Sequence, residues 1–274
     1  VTGQILYAGP WVGEFGWELM GWQGMVRARA RDYDKVVIGC HRSRRVLYQQ
    51  MPCEVEFVDV ERTIEAQGAH APGGVGHRVR KMFSNAGCNW MVPACIRPEG
   101  QAWVVYGEQN RHVPPYFCIH ARHTMKYVDS ASALLLSKGR NWPIEKWDAV
   151  VAKMGGRLMY AVGTREEAYC PPGVIDRRGE TLEETIELLA AAQFIVGPQS
   201  GPIHLAALCC CPIIVWAGQT TTVRWGFKNW DRMKTKWNPF NVTVDFIGID
   251  WQPTVDMVAL AVGRRRRRDD IALE

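Results

Sequence analysis

The residues with the most definite chemistry lie in Val196-Gly197-Pro198-Gln199-Ser200-Gly201-Pro202-Ile203-His204. A short β-branched apolar run stops at Gly197-Pro198, Ser200 stands where a helix N-cap belongs, and Pro202 falls in the first turn. The segment therefore reads as strand, tight turn, helix. Unpaired N–H groups at such a helix start, together with its dipole, favour an anion, and phosphate is the guest that fits. The same residues also suffice for a plain helix cap. A second set of charged groups, His120, Arg122 and Lys126, follows a strand-like run at residues 116–120, at the sheet edge where doubly wound folds bind ligands. A surface ion pair is the plainer role for Arg122, and His204, one turn into its helix, has the choice of a phosphate or a backbone carbonyl. Glu14 sits in a loop between Gly13 and Gly16, and Glu18 falls in the first turn of the following helix, where it also offsets the dipole.

These groups need a frame. Strands at residues 4–9, 35–40 and 54–58, with helices at 17–30 and 43–50 between them, spell β-α-β-α-β, which predicts a parallel sheet with right-handed crossovers. Residues 66–100 carry a weaker signal: a glycine-rich loop at 68–76 and a short helix at 79–85. Residues 102–106 read as a strand, and the paired prolines within 110–115 as a hinge. A second α/β series then begins with the strand at 116–120. It continues with a helix opened by Pro143, a strand at 157–162 that ends in Gly163-Thr164-Arg165-Glu166-Glu167, and a helix started by a Thr181/Glu184 capping box. After the strand, turn and helix around Ser200 come a strand at 212–218, a region containing Trp225, Trp230 and Trp237, a strand at 242–246 and a last helix at 253–267. Two halves alike in kind predict two Rossmann-like lobes facing one another across a cleft. The expected division is an N-terminal lobe at 1–112, a C-terminal lobe at 113–250, and a helix with a basic tail at 251–274.

With 274 residues, 47% of them hydrophobic, the chain has enough apolar material for one large core or two modest ones. No apolar run approaches the roughly 20 residues that span a bilayer, and the first residues run into a strand without an export signal. The nine cysteines form no C-x-x-C pair. A cytoplasmic protein with reduced thiols is expected. The formal charge of +5 owes much to the arginines at 264–268, a run that reads as a solvated helix end. No His/Cys cluster stands at ligand spacing, so no metal is expected.

Five blocks in the second half carry a family resemblance. Gly139-Arg140-Asn141-Trp142-Pro143-Ile144-Glu145-Lys146-Trp147, then Tyr160 to Glu167, then Gly179-Glu180-Thr181-Leu182-Glu183-Glu184, then Val196 to Ala207, then Pro212 to Gly218 resemble, in order and spacing, the donor-binding lobe of the heptosyltransferase-like family-9 glycosyltransferases. The resemblance covers residues 116–218. It implies an α/β fold of the GT-B kind, two Rossmann-like lobes with mainly parallel sheets facing a central cleft. It further implies inverting, metal-independent transfer of a sugar from a nucleoside-diphosphate sugar to a hydroxyl acceptor, with the nucleotide sugar as co-substrate and no other cofactor. The donor residues it points to are Arg122, Arg140, Gly163, Glu166, Gln199, Ser200, Gly201 and His204, with the diphosphate on the helix start and Arg140 reaching it. The family's catalytic base is a carboxylate in the glycine-containing turn after the first strand, which here is Glu14 or Glu18.

Two departures bear on these expectations. Gln199 replaces the family's Asp, and the first lobe is short and matches loosely. The acceptor therefore stays open between a saccharide or lipid-linked glycan and a hydroxylated base in modified DNA. Two other readings compete: a GT-B-like sugar-nucleotide epimerase or hydrolase, and a non-catalytic nucleotide-sugar-binding protein.

Overall fold

The computed structural model describes residues 3–11, 14–60, 89–91, 100–109, 115–123, 139–218, 229–248 and 250–271. The chain divides into two compact units, Val1–Val104 and Val105–Glu274.

In the first unit, β1 (Ile5–Ala8), β2 (Lys35–Cys40), β3 (Glu54–Asp59) and β4 (Trp90–Met91) form a parallel sheet in the order β3-β2-β1-β4. The β-α-β-α-β expectation holds, with two corrections of detail. Where one continuous helix is expected at 17–30, α1 (Phe15–Trp17) passes into a π-turn (Glu18–Trp22) and then α2 (Gln23–Arg29). All five residues of the π-turn are buried, a run too long for one face of a regular α-helix. The helix expected at 43–50 is a 3-10 segment (Arg42–Tyr48), its start capped by the His41 side chain, which accepts from the Ser43 N–H.

Arg27, in the last turn of α2, is buried. Its guanidinium donates to the carbonyls of Leu47 (2.9 Å), Gln49 (3.1 Å) and Ala102 (2.8 Å), and so ties α2 to the end of the 3-10 segment and to the stretch around residue 102. Arg27→Met, which leaves these carbonyls without their charged donor, is expected to cost about 3 kcal/mol in a urea unfolding experiment. A change below about 0.5 kcal/mol would mean that water replaces the guanidinium at no cost.

The second unit carries β5 (Tyr116–Ile119), β6 (Ala121–Arg122), β7 (Leu158–Ala161), β8 (Ala168–Tyr169), β9 (Ile175–Asp176), β10 (Ile195–Pro198), β11 (Ile213–Trp216) and β12 (Val244–Phe246). Six of these form a parallel sheet in the order β12-β11-β10-β5-β7-β9, while β6 and β8 pair antiparallel beside it. From the first strand, β5, the chain moves outward through β7 and β9. It then returns to the other side of β5 with β10, β11 and β12. This is the doubly wound order, and its switch point lies between β5 and β10. The helices are α3 (Ile144–Met154), α4 (Leu182–Ala191), α5 (Gly201–Leu208), the short α6 (Asn229–Asp231) and α7 (Val255–Ile271). Pro143 stands at the N-cap of α3, and α4 starts with the full Thr181/Glu184 capping box.

The core of this unit is aromatic. Trp142, Trp147 and Trp216 meet with ring centroids 4.9–5.6 Å apart, and Phe117 stacks on Phe194. Val258 and Val262 bring α7 onto the same cluster. Close approach of the two central strands requires Gly197, since a Cβ there would come within 2.7 Å of the His120 carbonyl oxygen.

The strand expected at 102–106 is not formed. The Ala102 N–H goes to the Gly24 carbonyl and the Tyr106 N–H to that of Leu208, so these donors bond to helical segments and not to a neighbouring strand. The expected loop at 68–76, the helix at 79–85, Lys126, Trp225 and most of the hinge at 110–115 lie outside the described residues.

Candidate functional site

The carboxyl ends of β5 and β10 bracket the switch point, and the predicted phosphate residues lie there. β10 ends at Pro198, and α5 begins at Gly201 with Pro202 in its first turn. Ser200 is the N-cap residue, but its hydroxyl donates to the Pro198 carbonyl (2.9 Å) and does not bond to the helix N–H groups. The tight turn is thus braced internally, and the Ser200 side chain leaves the first N–H groups of α5 uncapped. Gln199 is buried; its N–H bonds to the Trp216 carbonyl (2.9 Å) and its own carbonyl accepts from Arg140 Nη2 (3.0 Å). Arg140 therefore reaches the residue before the N-cap.

Arg140 is positioned from several sides. Its guanidinium lies 5.0 Å from the centre of the Trp251 ring, and the Gln252 side chain donates to the carbonyls of Gly139 (2.9 Å) and Asn141 (3.0 Å). Asn141 in turn accepts from Arg122, a buried residue two positions past His120. The expected Arg122 is thus joined to the Arg140 loop.

His204 is buried, with its ring edge-on to Trp237 at 4.8 Å. Its Nδ1 has no hydrogen-bond partner among the described residues. Burial, then the charges of Arg232 and Arg140, pull its pKa down to about 3. His120 is buried at the end of β5 with Nδ1 2.9 Å from the Val162 carbonyl, and burial lowers its pKa to about 4. Both imidazoles are held neutral, so the stability they contribute is complete above the unfolded value of 6.5 and is lost as pH falls toward about 4 and then about 3. Each adds about 1.4 kcal/mol per pH unit to that slope. In urea titrations at a series of pH values below neutrality, His204→Asn is expected to flatten the slope by about one proton. An unchanged slope would show that His204 is protonated in the folded chain.

Gly163 has φ +125°, and a Cβ there would crowd the His120 ring at 3.0 Å. Its part is thus to admit His120. Glu166 is exposed in the turn after β7.

Arg232 is the residue that the sequence reading missed. It is buried at the first position of a second π-turn (Arg232–Lys236), its guanidinium 4.4 Å from the centre of the Trp237 ring. Burial, and then the charge of Arg140, lower its pKa to about 10. The available signal was its place among Trp230, Trp237 and two lysines.

In the first unit, Glu14 is the half-buried N-cap of α1, and its carbonyl accepts from the N–H groups of Trp17 and Glu18. Glu18 is buried in the π-turn. Its Oε1 accepts from the Tyr48 hydroxyl (3.1 Å), and its Oε2 lies 3.9 Å from Arg44, whose guanidinium stands over the Phe15 ring. Burial raises the Glu18 pKa, against smaller lowering effects of Arg44 and Tyr48. Among the described residues no group of three or more His, Cys, Asp or Glu side chains could hold a metal ion, and no helix is long and apolar enough to cross a membrane.

The fold is that of the GT-B glycosyltransferases. Among solved structures, the chain is similar to E. coli ADP-heptose lipopolysaccharide heptosyltransferase II, with a TM-score of 0.61, 12% identity, and 97% of this chain and 99% of that one covered. It is also similar to a family-9 glycosyltransferase of Veillonella parvula (TM-score 0.56, 11% identity, 97% and 89% covered). A third is TibC of enterotoxigenic E. coli, an iron-containing dodecameric glycosyltransferase (0.55, 17%, 97% and 79%), which has also been solved in complex with ADP-D-β-D-heptose. No family model and no curated protein matches the sequence.

Proposed function

We propose that this protein is an inverting glycosyltransferase that moves a sugar from a nucleoside-diphosphate sugar to an acceptor hydroxyl and needs no metal. The observation that carries the reading is the meeting, at one switch point, of the α5 start and Arg140, whose guanidinium bonds to the carbonyl of the residue before the N-cap. Backbone N–H groups and a guanidinium at that point suit a diphosphate, and they stabilise it most when its bond to the sugar breaks. The fold shared with an ADP-heptose transferase supports the same donor class.

Glu14 is the proposed base. A base must reach the proton it removes, and Glu14 is half-buried at a loop end, whereas Glu18 is closed off with both oxygens facing Tyr48 and Arg44. Glu18 is assigned the positioning of that turn. In the reaction, Glu14 takes the acceptor hydroxyl proton as the oxygen attacks the anomeric carbon. The bond from that carbon to the diphosphate breaks, and its electron pair leaves on the diphosphate.

The test is incubation with labelled UDP-, GDP- and ADP-sugars and an acceptor panel of saccharides, lipid-linked glycans and DNA containing hydroxylated bases, with and without chelator. Acceptor-dependent transfer with inverted anomeric configuration, unaffected by chelator, is expected. Conversion of donor without acceptor would make the protein an epimerase or hydrolase, and binding without turnover a carrier.

A further inference from the structure

A closed circuit of contacts runs through Arg140. Its guanidinium bonds to the Gln199 carbonyl, and the Gln199 N–H bonds to the Trp216 carbonyl at the end of β11. Two residues further on is Gly218, against which the Trp251 ring packs, and that ring faces Arg140 again. The packing is close: a Cβ at Gly218 would lie 2.1 Å from the indole Nε1, so the ring takes the space that any other residue would fill. Arg140 is thus held between the carbonyl before the α5 N-cap and a ring seated on the neighbouring strand end.

Trp251 is carried by a short strap. The Gln252 side chain bonds to the carbonyls of Gly139 and Asn141, the residues on either side of Arg140. The Pro253 carbonyl accepts from Trp142 Nε1 (2.9 Å) and Lys146 Nζ (3.3 Å). Thr254 then caps α7, its hydroxyl accepting from the Met257 N–H (3.2 Å), and Val258 and Val262 anchor that helix in the core beside Trp142. The sequence division sets 251–274 apart as a helix and tail, yet these contacts fasten its first residues to the loop that carries the predicted phosphate-binding arginine.

We propose that Trp251 is a positioning residue of the donor site, which presets the Arg140 guanidinium for the ligand phosphate. This inference rests on the donor reading above. A free arginine side chain samples many rotamers and loses them on binding, whereas one already held on an aromatic face and a carbonyl has little left to lose. Removing the ring should therefore cost affinity only through Arg140.

The experiment is calorimetric titration of the full chain with UDP, GDP and ADP, using Trp251→Leu, Trp251→Phe and Gly218→Ala, each with and without Arg140→Ala. Leu keeps apolar bulk and removes the aromatic face; Phe restores the face. Trp251→Leu is expected to weaken binding about 3- to 30-fold, and Trp251→Phe less than about threefold. Gly218→Ala displaces the ring without removing it and is expected to give a loss of the same kind. In the Arg140→Ala background each should change affinity less than about twofold. A loss that persists in full without Arg140, or unchanged affinity in Trp251→Leu, would overturn the inference and leave the donor reading intact. Absence of nucleoside-diphosphate binding by wild type would overturn the donor reading and this inference with it.

Discussion

Glu14→Gln is expected to lower kcat by about a hundred- to ten-thousand-fold, the usual contribution of a positioned base. The amide keeps the size of the side chain and cannot accept the acceptor proton. Donor affinity should be unchanged, because the proposed donor groups belong to the other unit. Glu18→Gln sets the contrast. Its amide oxygen still accepts from the Tyr48 hydroxyl, so the turn stays braced and the expected loss in kcat is less than about tenfold. Steady-state kinetics on the two variants decide between the carboxylates. A large loss in Glu18→Gln with near-normal turnover in Glu14→Gln would exchange their roles.

Arg140→Ala is expected to weaken nucleoside-diphosphate binding about 10- to 150-fold, the range for losing a charge-assisted hydrogen bond in a partly buried site. Three interactions set that expectation. The guanidinium bonds to the Gln199 carbonyl beside the N-cap, faces Trp251, and belongs to a loop clamped by Gln252. It is therefore pre-positioned, and a ligand phosphate loses little by ordering it. Removing it also leaves the Gln199 carbonyl without this donor, so some stability is expected to be lost with it. Titration calorimetry with paired thermal melts separates the effects. A drop in melting temperature without a drop in affinity would make Arg140 a packing residue.

Strands such as Ile195 to Pro198 and Ile213 to Trp216 were legible because each is a short β-branched run beside a glycine or proline stop. The α4 capping box and the α5 start were legible because their signals are local. Two-residue strands such as β4, β8 and β9 leave no periodicity to read. Residues 102–106 have strand composition, but where their N–H groups bond is decided by distant helices. The π-turns depend on which residues the sheet buries, which no local pattern reports.

The candidate site divides in the same way. Ser200, Gly201 and Arg140 stand in recognisable segments, whereas Arg232 is placed by tertiary packing on Trp237. Gln199 acts through its backbone, with its N–H on Trp216 and its carbonyl on Arg140, and these bonds do not require the family's carboxylate.

The most direct test of the central claim is a thermal-shift panel of UDP, GDP, ADP and CMP with their sugar conjugates, run on wild type and on Gly201→Val. A branched side chain at the first residue of α5 would stand where the phosphate must approach. A ligand at a hundred times its dissociation constant should add about 2.7 kcal/mol of stability. The account predicts that at least one nucleoside diphosphate stabilises wild type and that Gly201→Val, folded and equally stable without ligand, does not respond. Equal stabilisation of both proteins, or of neither, would contradict it.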